Sequence, residues 1–175
     1  MANNCYYEMR VKGTEANVDT FVKLLKAEYN EFPKHFWRVF SAEVYDESTI
    51  DGVKTVDICG DCAWSVLACM GEGAWTYMES HPNKSTSLRE QSKLLQLQIE
   101  VYSSEPGMCF QEHYLYKNGE EIHNECVDYS EMYFEDEADF NKQKEEGDCD
   151  GYTWDDVDEN GNIKVGGFGD WSFCI

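Results

Sequence analysis

Hydrophobic and polar positions alternate through residues 3–13, "NNCYYEMRVKG", which predicts a half-buried strand. From Asn17 the period changes: Val18, Phe21, Val22, Leu25 and Tyr29 recur at helical spacing, with Asn17 as the expected N-cap and Pro33 beyond the end. "HFWRVFSAEVY" (35–45) is aromatic and β-branched and predicts a second strand. Asp51-Gly52 then turns the chain into a third, "VKTVDICGDCAW", ending near Gly60 or a little beyond.

The stretch "SVLACMGEGAWTYMES" predicts a short helix and a loop. "TSLREQSKLLQLQ" is a clearer helix: Ser87 caps it, Glu90 completes a capping box, and Leu88, Leu94, Leu95 and Leu97 supply its apolar positions. "LQIEVYS" is a fourth strand, and "EPG" at 105–107 a turn. "MCFQEHYLY" and "EEIHNECVDY" flank Asn118-Gly119, a strong hairpin signal. Residues 136–146 predict a short helix, and a last hairpin is expected about Asn160-Gly161.

The order β-α-β-β-α-β followed by a hairpin predicts an α+β fold: a ferredoxin-like split βαβ sandwich, its antiparallel sheet covered by helices on one face. Residues 1–119 would form this core, and residues 120–175 a β-rich acidic hairpin and helix extension packed on it. Without repeats or a Pro- or Ser-rich linker, residues 1–175 are expected to form a single domain.

Charge sharpens this division. The 175 residues hold 35 acidic and 14 basic side chains, a net of −21. Most of the imbalance lies in residues 120–159, where 17 acids face only Lys142 and Lys144. Direct binding to DNA, RNA or an anionic membrane is disfavoured, because phosphate contacts require clustered Lys and Arg. A basic partner is favoured. The start, "MANNCYYEMRV", shows no basic segment followed by an apolar one, and no run reaches membrane-spanning length, so a cytoplasmic location is expected.

Several stretches together carry a family resemblance. The N-terminal Asn-x-Cys strand, "CAWSVLACM", "IEVYSSEPGMCFQEHYLYKNGE" and the closing "VGGFGDWSF" resemble the YubB-like ferredoxin-like family. Its members are small proteins of plasmids, phages and integrated elements. The resemblance implies the same fold and a mobile-element origin. It implies no catalytic residue.

Candidate chemistry is sparse. Asp156, Asp158, Asn160, Gly161 and Ile163 follow a calcium-loop spacing, in which hard oxygen donors surround Ca²⁺. Position twelve, however, is Gly167 rather than a bidentate Glu, so Asn160-Gly161 is read first as a hairpin turn, with calcium as the lesser alternative. Cys59 and Cys62 in "CGDC" could form half a zinc site or a redox pair, but no second close Cys/His pair completes the former. In a continuous strand, residues three apart face opposite sides and share no ligand. The eight cysteines are therefore read chiefly as reduced core residues.

His113 and His123 face each other across the predicted hairpin, beside Glu112 and Glu125, either as an ordinary polar cross-strand group or as a metal or proton-transfer cluster. Tyr6, Trp37, Phe40, Trp64, Trp75, Trp154, Trp171 and Phe173 would make core, or line a pocket. No phosphate loop or nucleophile elbow is present, so no enzyme is expected, and no cofactor.

The acids of residues 120–159 are interleaved with Val127, Tyr129, Met132, Tyr133, Phe134, Phe140, Tyr152 and Trp154, which predicts a folded negative surface rather than a solvated tail. Its candidate partner-binding residues are Glu120, Glu121, Asp128, Glu131, Glu135, Asp136, Glu137, Asp139, Glu145, Glu146, Asp148, Asp150, Asp155, Asp156, Asp158 and Glu159. The leading expectation is a non-enzymatic nucleic-acid mimic that inhibits a basic nucleic-acid-handling protein, such as a nuclease or CRISPR effector. That last specificity comes from the mobile-element resemblance. The alternatives are a small ligand- or peptide-binding module, and a protein dependent on Ca²⁺ or Zn²⁺.

Overall fold

In the computed structural model the described residues are 3–28, 31–72, 85–105, 107–108, 110–128, 133–146, 153–157, 159 and 161, with 127 and 128 as backbone. Six strands form one antiparallel open sheet. They are β1 (Asn4–Thr14), β2 (Val39–Ile50), β3 (Val53–Ala63), β4 (Gln98–Glu105), β5 (Phe110–Lys117) and β6 (Glu120–Asp128), in the spatial order β2-β3-β1-β4-β5-β6. Helix α1 (Glu15–Leu25) links β1 to β2, and α2 (Val66–Met70) and α3 (Leu88–Leu94) lie between β3 and β4. A fourth helix, α4 (Glu137–Glu146), and a 3₁₀ turn at Trp154–Asp156 follow β6.

The period-two pattern of β1 fixes its faces. Cys5, Tyr7, Met9 and Val11 point into the main core, where they meet Val56, Ile58 and Cys62 of β3 and Ile99 and Val101 of β4. Val18, Phe21, Leu24 and Leu25 of α1, Val66 and Cys69 of α2, and Leu88 of α3 complete the same cluster. Burial of this surface stabilises the fold at roughly 25 cal/mol per Å² of apolar area. Opposite Tyr7 the chain has Gly60, where a Cβ would collide with the Ser41 carbonyl oxygen. Tyr7 fills that space and donates its hydroxyl to the same oxygen, at 2.7 Å.

Two hairpins have the turn chemistry expected of them. Asp51-Gly52 (φ 51° and 78°) joins β2 to β3, and Asn118-Gly119 (φ 52° and 86°) joins β5 to β6. The Ser87 hydroxyl caps α3 by accepting from the Glu90 N–H at 3.1 Å.

Four local expectations are corrected. Helix α1 starts at Glu15 with Thr14 at the N-cap, and the Asn17 amide instead donates to the Leu95 carbonyl at 2.8 Å, tying α1 to the α3–β4 connection. The second strand begins at Val39, not at residue 35; His35 and Phe36 are buried ahead of it, and His35 bridges to Ser85. Leu94 is exposed, because the helix ends there and Leu97 takes the core position. Residues 154–156 form a 3₁₀ turn rather than a hairpin strand, closed by a Thr153–Asp156 capping box. Of the extension from residue 120, the described residues comprise strand β6, helix α4 and this 3₁₀ turn.

No helix among the described residues is long and apolar enough to cross a membrane.

Candidate functional site

Among the described residues, the segment after β6 and the middle of the sheet's second face both bring polar side chains together in an organised way.

The segment after β6 has its own small core. Phe134 and Phe140 are buried with Val157, and Trp154 packs against them. The ring centroids of Phe134 and Phe140 are 5.0 Å apart, edge to face, and those of Phe140 and Trp154 are 5.8 Å apart. Gly161 closes the group at φ 80°, and its carbonyl accepts from the Phe134 N–H at 2.8 Å. Aromatic residues spaced through the acidic sequence thus pack its described parts, 133–146 and 153–157, against one another.

The acids on this frame divide into two kinds. Asp136, Asp139 and Asp156 are turned to local backbone: Asp136 accepts from the Asp139 N–H at 2.9 Å, Asp139 from the Glu135 N–H at 3.2 Å, and Asp156 from the Thr153 N–H at 2.7 Å. Asp136 is nonetheless exposed, and so are Glu135, Glu137, Glu145, Glu146, Asp155 and Glu159. So are Glu120 and Glu121 at the start of β6, an edge strand of the sheet. Asp128 lies at the end of β6, paired with Phe110. Glu131, Asp148, Asp150 and Asp158 lie outside the described residues, as do Asn160 and Trp75.

Local stability accounts for only some of these charges. Glu137 and Asp139 in the first turn of α4 suit the helix dipole, whereas Glu145 and Glu146 at its last turn oppose it, with Lys144 as partial compensation. Charged residues on an edge strand such as β6 also discourage pairing with another chain.

On the second face, β4, β5 and β6 align Tyr102, His113 and Glu125 in one cross-strand row, with Glu100, Leu115 and His123 in the next. Glu100 is fully buried. Its Oε1 accepts from His113 Nε2 at 2.8 Å and from the Tyr102 hydroxyl at 3.3 Å. The Tyr102 and His113 rings stack with centroids 4.0 Å apart, and His123 lies 4.3 Å beyond His113. His123 Nε2 is 3.1 Å from Glu125 Oε2. The expected meeting of His113, His123 and Glu125 is present, but Glu112 faces the other side, where it is buried. Sequence reasoning missed Glu100 and Tyr102. Their signal was a polar alternation within "IEVYSS" so apolar on its other positions that it passed for an ordinary strand.

The cysteine pair is separated as a continuous strand requires. Cys62 points into the main core opposite Cys5, while Cys59 is half-buried on the second face opposite Glu8. The two do not form a zinc site together. Hydrogen bonding with Cys5 and Cys69, and then burial, push the Cys62 thiol well above its ordinary range. Asp156, the one calcium-loop acid among the described residues, is engaged in its capping box.

A depression of about 500 Å³ beside α2 is lined by exposed Trp64, Leu67 and Met108, with Phe110 and Cys126. A second depression of about 540 Å³, lined by polar residues including Glu72, Arg89 and Glu90, lies by α3.

No family model matches this chain, and comparison with curated proteins and with solved structures found no match. The YubB-like resemblance therefore rests on the short motifs that suggest it.

Proposed function

We propose that the protein is a non-enzymatic acidic binding protein whose ordered carboxylates occupy the Lys/Arg surface of a nucleic-acid-handling partner. The observation that carries this reading is the small aromatic core of Phe134, Phe140, Val157 and Trp154, which sets exposed acids on a fixed frame. A fixed array loses little conformational freedom on binding, and its field steers a cationic partner toward it. The outward set is Glu120, Glu121, Glu135, Glu137, Glu145, Glu146, Asp155 and Glu159. Asp136, Asp139 and Asp156 serve the frame itself. Glu145 and Glu146 stand where the helix dipole disfavours them, a placement that supports a role other than stability.

The order of elements and strands supports reading β1 to β4 with their helices as a split βαβ core, extended by the β5–β6 hairpin. A mobile-element inhibitor of a nuclease or CRISPR effector fits both the charge and the motif resemblance.

The test is a pull-down from host lysate at low and high salt, repeated with Glu135, Glu137, Glu145 and Glu146 changed together to Gln. A basic nucleic-acid-binding protein should be captured at low salt, released at high salt and displaced by competing DNA, and the variant should lose it. Capture that is unaffected by salt and by the four substitutions would exclude this surface.

A further inference from the structure

The cluster on the second face has a composition that acidic mimicry does not use. Donor atoms from His113, His123 and Glu125 all lie within 4.8 Å of one another. Two imidazoles and one carboxylate form a recurrent donor set for Zn²⁺ and related transition-metal ions, with a further coordination position left open. Hard cations are a poor match, since Ca²⁺ takes six or more oxygens.

What lies behind these three residues separates the cluster from a chance group of surface side chains. Glu100 is fully buried, and its carboxylate holds His113 through Nε2 at 2.8 Å. A carboxylate only accepts, so this hydrogen bond places the proton of a neutral His113 ring on Nε2 and leaves the other ring nitrogen with its lone pair. Metal-bound histidines are commonly oriented in this way by an outer carboxylate. Tyr102 adds a second constraint, stacking on the His113 ring while donating to the same Glu100 oxygen. His123 and Glu125, with side chains 41% and 54% exposed, leave an approach from solvent.

We propose that His113, His123 and Glu125 bind a divalent transition-metal ion of the Zn²⁺ class, with buried Glu100 as the positioning residue for His113. This inference is independent of the acidic-surface reading: none of its residues belongs to the outward acidic set, and its ligand is a metal ion rather than a protein.

The full chain, stripped with EDTA, would be titrated with Zn²⁺ and with Co²⁺, following calorimetry, melting temperature and the visible d–d absorption of Co²⁺. A single saturable Zn²⁺ site that raises the melting temperature is expected, with Ca²⁺ unable to displace the ion. His123→Ala and Glu125→Gln, both at solvent-accessible positions, should keep the metal-free melt and weaken Zn²⁺ binding at least ~10-fold. Glu100→Gln should weaken it ~10–100-fold and alter the Co²⁺ spectrum without removing the site, as an outer-carboxylate change does. Zn²⁺ uptake that Ca²⁺ displaces, or that His123→Ala and Glu125→Gln leave unchanged, would assign the ion to the diffuse carboxylate surface and overturn the proposal. Unchanged affinity and spectrum in Glu100→Gln would remove its positioning role.

Discussion

Arg10 and Asp57 form a two-pronged ion pair between β1 and β3: Nε and Nη2 of the guanidinium each donate to a different carboxylate oxygen, both at 2.6 Å. The hydrogen bond to Asp57 raises the Arg10 pKa, against the opposing effect of burial, and the charges of Asp57 and Glu100 add to the rise. Arg10 is also the register partner of Glu100 on β4. One guanidinium therefore pairs directly with Asp57 on one neighbouring strand and acts through its charge on buried Glu100 on the other.

From this sharing follows an asymmetry between the two partners. Removing one member of a buried pair costs about 3–5 kcal/mol, because the other charge stays buried. Arg10→Met takes the cation from both Asp57 and Glu100, whereas Asp57→Asn leaves Arg10 beside Glu100. Urea unfolding should show Arg10→Met as the more destabilising change, with an Arg10→Met/Asp57→Asn double variant less destabilised than the sum of the two. Equal costs would mean that Arg10 does not stabilise Glu100.

Glu112 plays a comparable part on the core face. Its carboxylate accepts from the Val66 and Leu67 N–H groups at 2.8 and 3.2 Å, the Ser103 hydroxyl at 2.5 Å and the Tyr114 hydroxyl at 2.9 Å. It thereby anchors the first turn of the short helix α2 to β4 and β5. Glu112→Leu strands several buried donors and should destabilise by at least ~3 kcal/mol, given a cost of about 1–3 kcal/mol for each unsatisfied buried group. Hydrogen exchange should report it first at the amides of Val66 and Leu67. A variant with unchanged exchange there would show that α2 is held by its apolar contacts alone.

Strand and turn positions were legible wherever a single local rule decided them. The alternation of β1 and the positive-φ pairs Asp51-Gly52 and Asn118-Gly119 need no tertiary information. The start of β2 was not legible, because "HFW" has strand-like composition although His35 and Phe36 are buried outside the sheet. Asn17 has the chemistry of a cap, and only its distant partner Leu95 shows that it is used otherwise. At the sites, the facing of His113 and His123 followed from the hairpin. Glu100 did not: strands β4 and β5 become neighbours of β1 and β6 only in the assembled sheet, so its burial is a property of the register and not of the local sequence.

The acidic segment offers a way to separate charge from order. Helix α4 buries only Phe140 among its ten residues, and a helix of that length has little stability without packing. Phe140→Ala removes the ring shared by Phe134 and Trp154, and a buried Phe→Ala change costs about 3–5 kcal/mol. That cost exceeds what so small a cluster can absorb, while the main core, which lacks these residues, is untouched. Hydrogen exchange should therefore show protection lost across residues 137–146 and retained in β1 and β4. Net charge is unchanged in this variant. If a fixed array of carboxylates recognises the partner, Phe140→Ala should weaken binding nearly as much as replacing Glu135, Glu137, Glu145 and Glu146 with Gln. If charge alone suffices, Phe140→Ala should bind as the wild type does, and the ordered-surface mechanism would fall while the attraction to a cationic partner remained.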